Sequence, residues 1–168
     1  IAKYALLRDT VATSGIVSSD HLHEPARASA DAVRLVHTAR YVAAIMNGTL
    51  TEAEQRRIGF PWSESLVERS FRAVGGTVEA AAAALDRGVT MNLAGGTHHA
   101  FPDHGEGFCV FNDTAVAIRT LQRDGRIQRA AVIDLDVHQG NGTHAIFADD
   151  ASVFTFSMHG GRNYPYHK

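Results

Sequence analysis

Three short stretches of this 168-residue chain carry side chains that do chemistry. The first is Gly95-Gly96-Thr97-His98-His99-Ala100, two adjacent imidazoles in a glycine-flanked loop. The second is Asp134-Leu135-Asp136-Val137-His138, followed by Gly140 and Gly142. The third is Ser157-Met158-His159. Seven of the ten histidines fall from His98 onward, and histidine both titrates near neutral pH and binds metals. In an extended segment Asp134, Asp136 and His138 face one side, which makes a partial divalent-metal site. Nitrogen and oxygen donors suit Zn²⁺, Fe²⁺ or Mn²⁺. Cys109 is the only cysteine, so thiolates do not close the site, and an open, catalytic metal is favoured. A hydrolytic metal site needs a base to take a proton from bound water and an acid for the leaving amine. Two histidines near one metal can divide those roles. Gly140 and Gly142 permit a tight turn and a close backbone approach beside the metal.

The patterning predicts the elements that must hold these groups. Residues 1–28 are polar and mixed and read as loop with short helical pieces. Val33, Val36, Tyr41, Val42 and Ile45 are spaced for one helix over Ala32–Met46, stopped by Asn47-Gly48. A short polar helix follows at Thr51–Arg57. Ser63 caps a longer helix reaching Asp86, with Gly75 and Gly76 inside it marking close packing or a kink. From Val89 the style changes. Val89–Ala94 reads as a strand, Gly95–Gly107 as a loop, and Asn112 or Asp113 as the cap of a helix to Arg123. Ala130–Leu135 reads as a buried strand, Thr143–Phe147 as a short helix and Ser152–Ser157 as a further strand. Alternating strands and helices predict an α/β fold with a parallel central sheet flanked by helices. The reactive stretches then leave the carboxyl ends of strands, where such sheets gather their sites.

Composition excludes several classes. Apolar residues make up 45% and charged residues 20%, which is neither disordered nor low-complexity. A formal charge of −2 offers no basic field for a nucleic-acid backbone. The longest apolar runs, Tyr41–Met46 and Ala80–Leu85, fall far short of the ~18 residues a membrane span needs. Nothing in the pattern suggests export, so the cytoplasm is the expected location. Oligomeric state is not readable. Cys109 reads as a buried, inert thiol, Phe111 as core, His104 as solvated and His144 as structural. Arg119, Arg123, Arg126 and Arg129 read as a solvated ridge.

Three ordered blocks together resemble the histone deacetylase superfamily: Gly95–Ala100, Gly107-Phe108-Cys109-Val110-Phe111-Asn112-Asp113, and Ile133–Gly142. Val36-His37-Thr38 and Tyr41-Val42 are similar to the helical lead-in of these enzymes. The His138-Gln139-Gly140-Asn141-Gly142 turn is closer to class IV-type and bacterial deacetylase-like members than to class I. The resemblance implies a three-layer arginase/deacetylase architecture and zinc-dependent removal of an acyl group from a lysine or amine. Fe²⁺ is the alternative metal. Asp136 and His138 would be two of three protein ligands, and His99 the general base, or base and acid in turn. His98 would position water. Asp134 would bond His98 and, with Ser157, help hold K⁺ or Na⁺. Gly107 and Phe108 would line the acyl-lysine channel. Asn141 matches the position beside His99 where class I members have Asp, and a neutral partner there should alter the basicity of His99.

The family's third ligand, a later Asp, and its oxyanion-stabilising residue, usually Tyr, fall beyond these blocks. The chain also starts at Ile1 without methionine and stops just after a strand-like run. The expectation is one partial catalytic domain: a mainly helical lead-in over 1–88 and an α/β part over 89–168 that carries the site. Two other readings stand beside the deacylase. An arginase-type hydrolase with two manganese ions shares the fold by resemblance, but needs more bridging carboxylates. A non-catalytic module binding an acylated or cationic ligand would follow if the chain truly ended at Lys168.

Overall fold

Five helices of this protein begin where a short polar side chain takes up a free backbone N–H. The computed structural model describes residues 2–168. Helix α1 spans Ala2–Thr13, and a 3₁₀ turn follows at Ser19–His21. Helix α2 (Ala30–Val33) is capped by Ser29, α3 (Ala39–Asn47) by Thr38, and α4 (Glu52–Ile58) by a reciprocal Thr51–Glu54 capping box. Helix α5 (Glu64–Arg87) starts at Ser63, and α6 (Asp113–Arg123) starts at Asn112, whose side chain accepts from Ala115 N. Strand β1 (Ala130–Asp134), α7 (Asn141–Phe147) and β2 (Val153–Ser157) complete the described elements. The two strands pair in parallel, with Asp134 opposite Ser157.

The core lies where α3, α5 and the stretch before α6 meet. Phe111 is the hub: its ring centroid is 5.1 Å from Phe71, 5.9 Å from Tyr41 and 5.3 Å from His37. Each is buried, and a fully buried ring of this size contributes about 1.5–3 kcal/mol. The Tyr41 hydroxyl donates to Val110 O at 2.8 Å, so the same stretch is held by packing and by a buried hydrogen bond. A second cluster of Ala115, Ile118, Phe147 and Val153 ties α6 to α7 and β2. At Gly75 a Cβ would lie 1.9 Å from Ala26 O, so the glycine lets the segment before α2 cross α5.

Four expectations need correction. Residues 2–13 form a continuous helix. Its Leu6 and Leu7 are exposed, so no apolar stripe announces it, while its Ala, Leu, Lys and Arg content favours helix. The single helix expected over Ala32–Met46 is two helices. Thr38 N donates to Pro102 O and His37 Nδ1 bonds Phe101 O, so the loop after the histidines takes the place of helical hydrogen bonds. Val89–Ala94 is not a strand. It lies along α5 through Thr90 Oγ1 to Ala80 O and Asn92 Nδ2 to Ala73 O and Thr77 Oγ1, with Val89 and Met91 exposed. Side-chain bonds to a helix replace a ladder there. Ala130–Leu135 is not buried throughout: β1 alternates half-buried and exposed residues and ends at Asp134. Its outward Ile133, like Leu135 beyond it, lies exposed. The sheet has two strands among the described residues, a small part of the central sheet expected. No helix among the described residues is long and apolar enough to cross a membrane.

Candidate active site

The histidine loop is tied down by one carboxylate. Asp113, 1% exposed, accepts from Gly96 N at 3.0 Å, Thr97 N at 2.8 Å, Thr97 Oγ1 at 2.6 Å and Thr77 Oγ1. It stands in the first turn of α6, while Thr77 belongs to α5. The loop is therefore fixed to two helices just before His98. On the other side α7 presses close, and Thr143 N donates to His98 O at 3.0 Å. The two imidazoles come out with centroids 4.1 Å apart, turned toward one region, as a glycine-flanked loop allows.

Each histidine has its own partner. His98 Nδ1 lies 2.5 Å from Asp134 Oδ2 at the end of β1. His99 Nδ1 lies 2.8 Å from Asn141 Oδ1 at the start of α7. Burial holds the His99 pKa below the ordinary imidazole value, and nearby His98 and His138 push the same way against the Asn141 hydrogen bond. His99 is therefore neutral at pH 7 and has a ring nitrogen able to take a proton.

Asp136 and His138 stand together. His138 Nδ1 is 2.9 Å from Asp136 Oδ1, and His138 N donates to the same oxygen at 2.7 Å. Both side chains are about half exposed. Burial raises the Asp136 pKa, but the two His138 hydrogen bonds outweigh it and hold the carboxyl below its usual range. The expected extended run is absent. Past Asp134 the chain bends, so Asp134 turns to His98 while Asp136 and His138 face one another. An anionic oxygen and an imidazole nitrogen this close fit two donors of one zinc ion. No third His, Cys, Asp or Glu joins them among the described residues.

Ser157 sits across the ladder from Asp134. Its Oγ accepts from Gly140 N at 3.2 Å and lies 2.9 Å from His159 Nδ1. Asp134, Gly140, Ser157 and His159 line a cleft of about 170 Å³. Gly107 and Phe108 both adopt left-handed backbone, φ 56° and 65°. A Cβ on Gly107 would lie 2.7 Å from the His99 ring and 2.9 Å from the Tyr164 ring, so only glycine fits between them. Phe108 is 63% exposed and packs edge-on against Phe60 at 5.1 Å.

Sequence reasoning missed three residues. Glu106 is 8% exposed and accepts from Asn141, Tyr164 and Arg57. The Tyr164 ring stands edge-on to His99 at 4.9 Å. His104, expected in solvent, instead stacks on Phe101 at 4.6 Å. Cys109 is buried as expected, its thiol pushed up to about 12 chiefly by burial, which makes it unreactive.

The histone deacetylase domain family matches this chain over residues 1–168. The chain belongs to that family. An uncharacterized protein of Picosynechococcus sp. is 49% identical over 166 residues, covering 99% of this chain and 55% of that protein. Histone deacetylase 2 of Arabidopsis thaliana is 30% identical over 179 residues, covering 98% of this chain and 44% of the relative. The crystal structure of a histone deacetylase homolog from Aquifex aeolicus superposes with a TM-score of 0.82 at 30% identity, covering 97% of this chain and 46% of that one. The chain thus has the histone deacetylase fold over the matched part. It spans about half the length of the curated relatives it matches.

Proposed function

We propose that this chain supplies the histidine pair and two of the metal ligands of a zinc-dependent deacylase. The substrate class is an acyl-lysine or an acylated amine, most simply the acetyl form. The observation that carries the reading is the placement of His99. Its ring is neutral, bonded behind by Asn141, and 6.0 Å centroid to centroid from the ring of His138.

Asp136 and His138 would hold the ion, with a third donor from elsewhere in the whole protein. When bound, zinc polarises the acyl carbonyl and lowers the pKa of its water. His99, bonded at Nδ1 by Asn141, would accept a proton from the attacking water at its free ring nitrogen and hand it to the leaving amine. His98, held by Asp134, orients the water beside it. Asp134 and Ser157 offer oxygen donors suited to K⁺ or Na⁺. Exposed Phe108 and the Gly107 gap give the lysine stem an apolar wall beside His99.

The test is hydrolysis of an acetyl-lysine peptide by the full-length gene product. Activity lost to a chelator and restored by Zn²⁺ supports the reading, and restoration by Fe²⁺ alone changes the metal. Two manganese ions per chain with arginine hydrolysis would overturn it.

A further inference from the structure

Glu106 lies behind the His99–Asn141 pair, and three donors converge on its carboxylate. Asn141 Nδ2 donates to Oε1 at 2.8 Å, Tyr164 OH to Oε1 at 2.9 Å, and Arg57 Nε to Oε2 at 3.0 Å. His104 Nε2 is 3.8 Å from Oε2. Burial alone would raise the carboxyl pKa, but these bonds and the Arg57 charge outweigh it and hold Glu106 below the usual range. An ionised carboxylate has no proton to give and can only accept.

That one-way chemistry fixes the Asn141 side chain. Its NH₂ must face Glu106, so its carbonyl oxygen faces His99. The backbone agrees, because Gly142 N donates to the same Oδ1 at 3.0 Å. A flipped amide would set oxygen against carboxylate at one end and N–H against N–H at the other. With a carbonyl oxygen 2.8 Å away, His99 Nδ1 must carry the proton, which leaves Nε2 bare.

We propose that Glu106 is a positioning residue that, through the Asn141 amide, sets the tautomer of His99 with the proton on Nδ1 and Nε2 free to act as base. Arg57 and Tyr164 keep Glu106 charged and in place. The relay orients His99 without placing a carboxylate directly on its ring. The proposal rests on His99 being the base only for its consequence in catalysis. The tautomer itself is a property of the folded chain.

The test is long-range ¹H–¹⁵N correlation NMR on the metal-free full-length gene product, at a pH where His99 is neutral. Wild type should show His99 wholly as the Nδ1–H form. An Nε2–H form in wild type overturns the proposal without any variant. In Glu106→Gln the new amide turns its oxygen to Arg57 and its NH₂ to Asn141, so the Nε2–H form should appear as a clear fraction. If the Nδ1–H form persists alone, Gly142 N suffices to orient Asn141 and the role given to Glu106 is wrong. Should Glu106→Gln disturb the backbone spectrum, Asn141→Ala cuts the same relay while Arg57 and Tyr164 still hold Glu106, and it must also mix the tautomers. Turnover is not read, so failure here leaves the deacylase reading standing, and absent hydrolysis leaves the tautomer result standing.

Discussion

Asn141 reaches His99 because nothing but hydrogen occupies the α-carbon of Gly142. A Cβ there would lie 2.5 Å from Ala100 O and 2.6 Å from the His99 carbonyl carbon, both backbone atoms. Helix α7 therefore lies directly on the histidine loop. Gly142→Ala should destabilise the chain by about 1–3 kcal/mol, the usual range for overpacking, despite the better helix propensity of alanine. Urea unfolding of the two chains checks this. An unchanged midpoint would mean that the helix and loop are not in contact.

Asp136→Ala removes one of the two facing side chains proposed to hold zinc and leaves His138 alone. Zinc bound per full-length gene product should fall, and acetyl-lysine hydrolysis should fall with it. Metal analysis after desalting reads the first, and acetate release the second. Zinc and activity both retained would assign the ligand wrongly.

His37 predicts a pH dependence of stability. Its Nδ1 bonds Phe101 O, and Asn112 N donates to its Nε2, both at 2.9 Å, so the ring is held neutral with both nitrogens used. Burial lowers its pKa from 6.5 to about 4. The unfolded chain then binds the proton more readily than the folded one. The stabilisation is complete above pH 6.5 and is lost as pH falls toward 4, by roughly 3 kcal/mol in all. Urea midpoints should fall over that window. His37→Gln, which can make both bonds but takes no proton, should flatten that part of the slope while lowering stability at pH 7. An equal slope in the variant would remove His37 as the cause.

Much of the site was readable because its groups sit in short blocks. Asn112, one of the two caps offered for α6, the short helix at Thr143–Phe147, which begins two residues earlier at Asn141, and the turn of His98 and His99 toward one region each follow from local chemistry. What escaped depends on long-range geometry. Arg57 is 49 residues and Tyr164 58 residues from Glu106, and no local pattern joins them. Spacing alone groups Asp134 with Asp136 and His138 on one face of an extended segment. The chain bends after Asp134, and that carboxylate bonds His98, as the family resemblance implies. Val89–Ala94 has the residues of a strand, yet Asn92 and Thr90 find better partners on α5. Thr38 caps α3 within what reads as one helical pattern, so the spacing of apolar residues does not show the α2–α3 break.

The Gly75-Gly76 pair reads in the sequence as close packing or a kink, and at Gly75 the geometry shows the close packing. With a Cβ placed 1.9 Å from Ala26 O, Gly75→Ala must push the segment before α2 off α5. Helix propensity favours alanine by up to ~1 kcal/mol, so a net loss of stability isolates the packing effect. A stabilised variant in thermal unfolding would show that the segment does not cross there.

Acetate release from an acetyl-lysine peptide by the zinc-loaded full-length gene product, wild type against His99→Ala, reads the base role of His99. Bound zinc is counted in both samples. Wild type should hydrolyse the peptide, and kcat should fall by about 10²–10⁴-fold in the variant, the usual worth of a general base, with zinc unchanged. No hydrolysis by the zinc-loaded wild type, or equal rates in the two proteins, would contradict the proposed function.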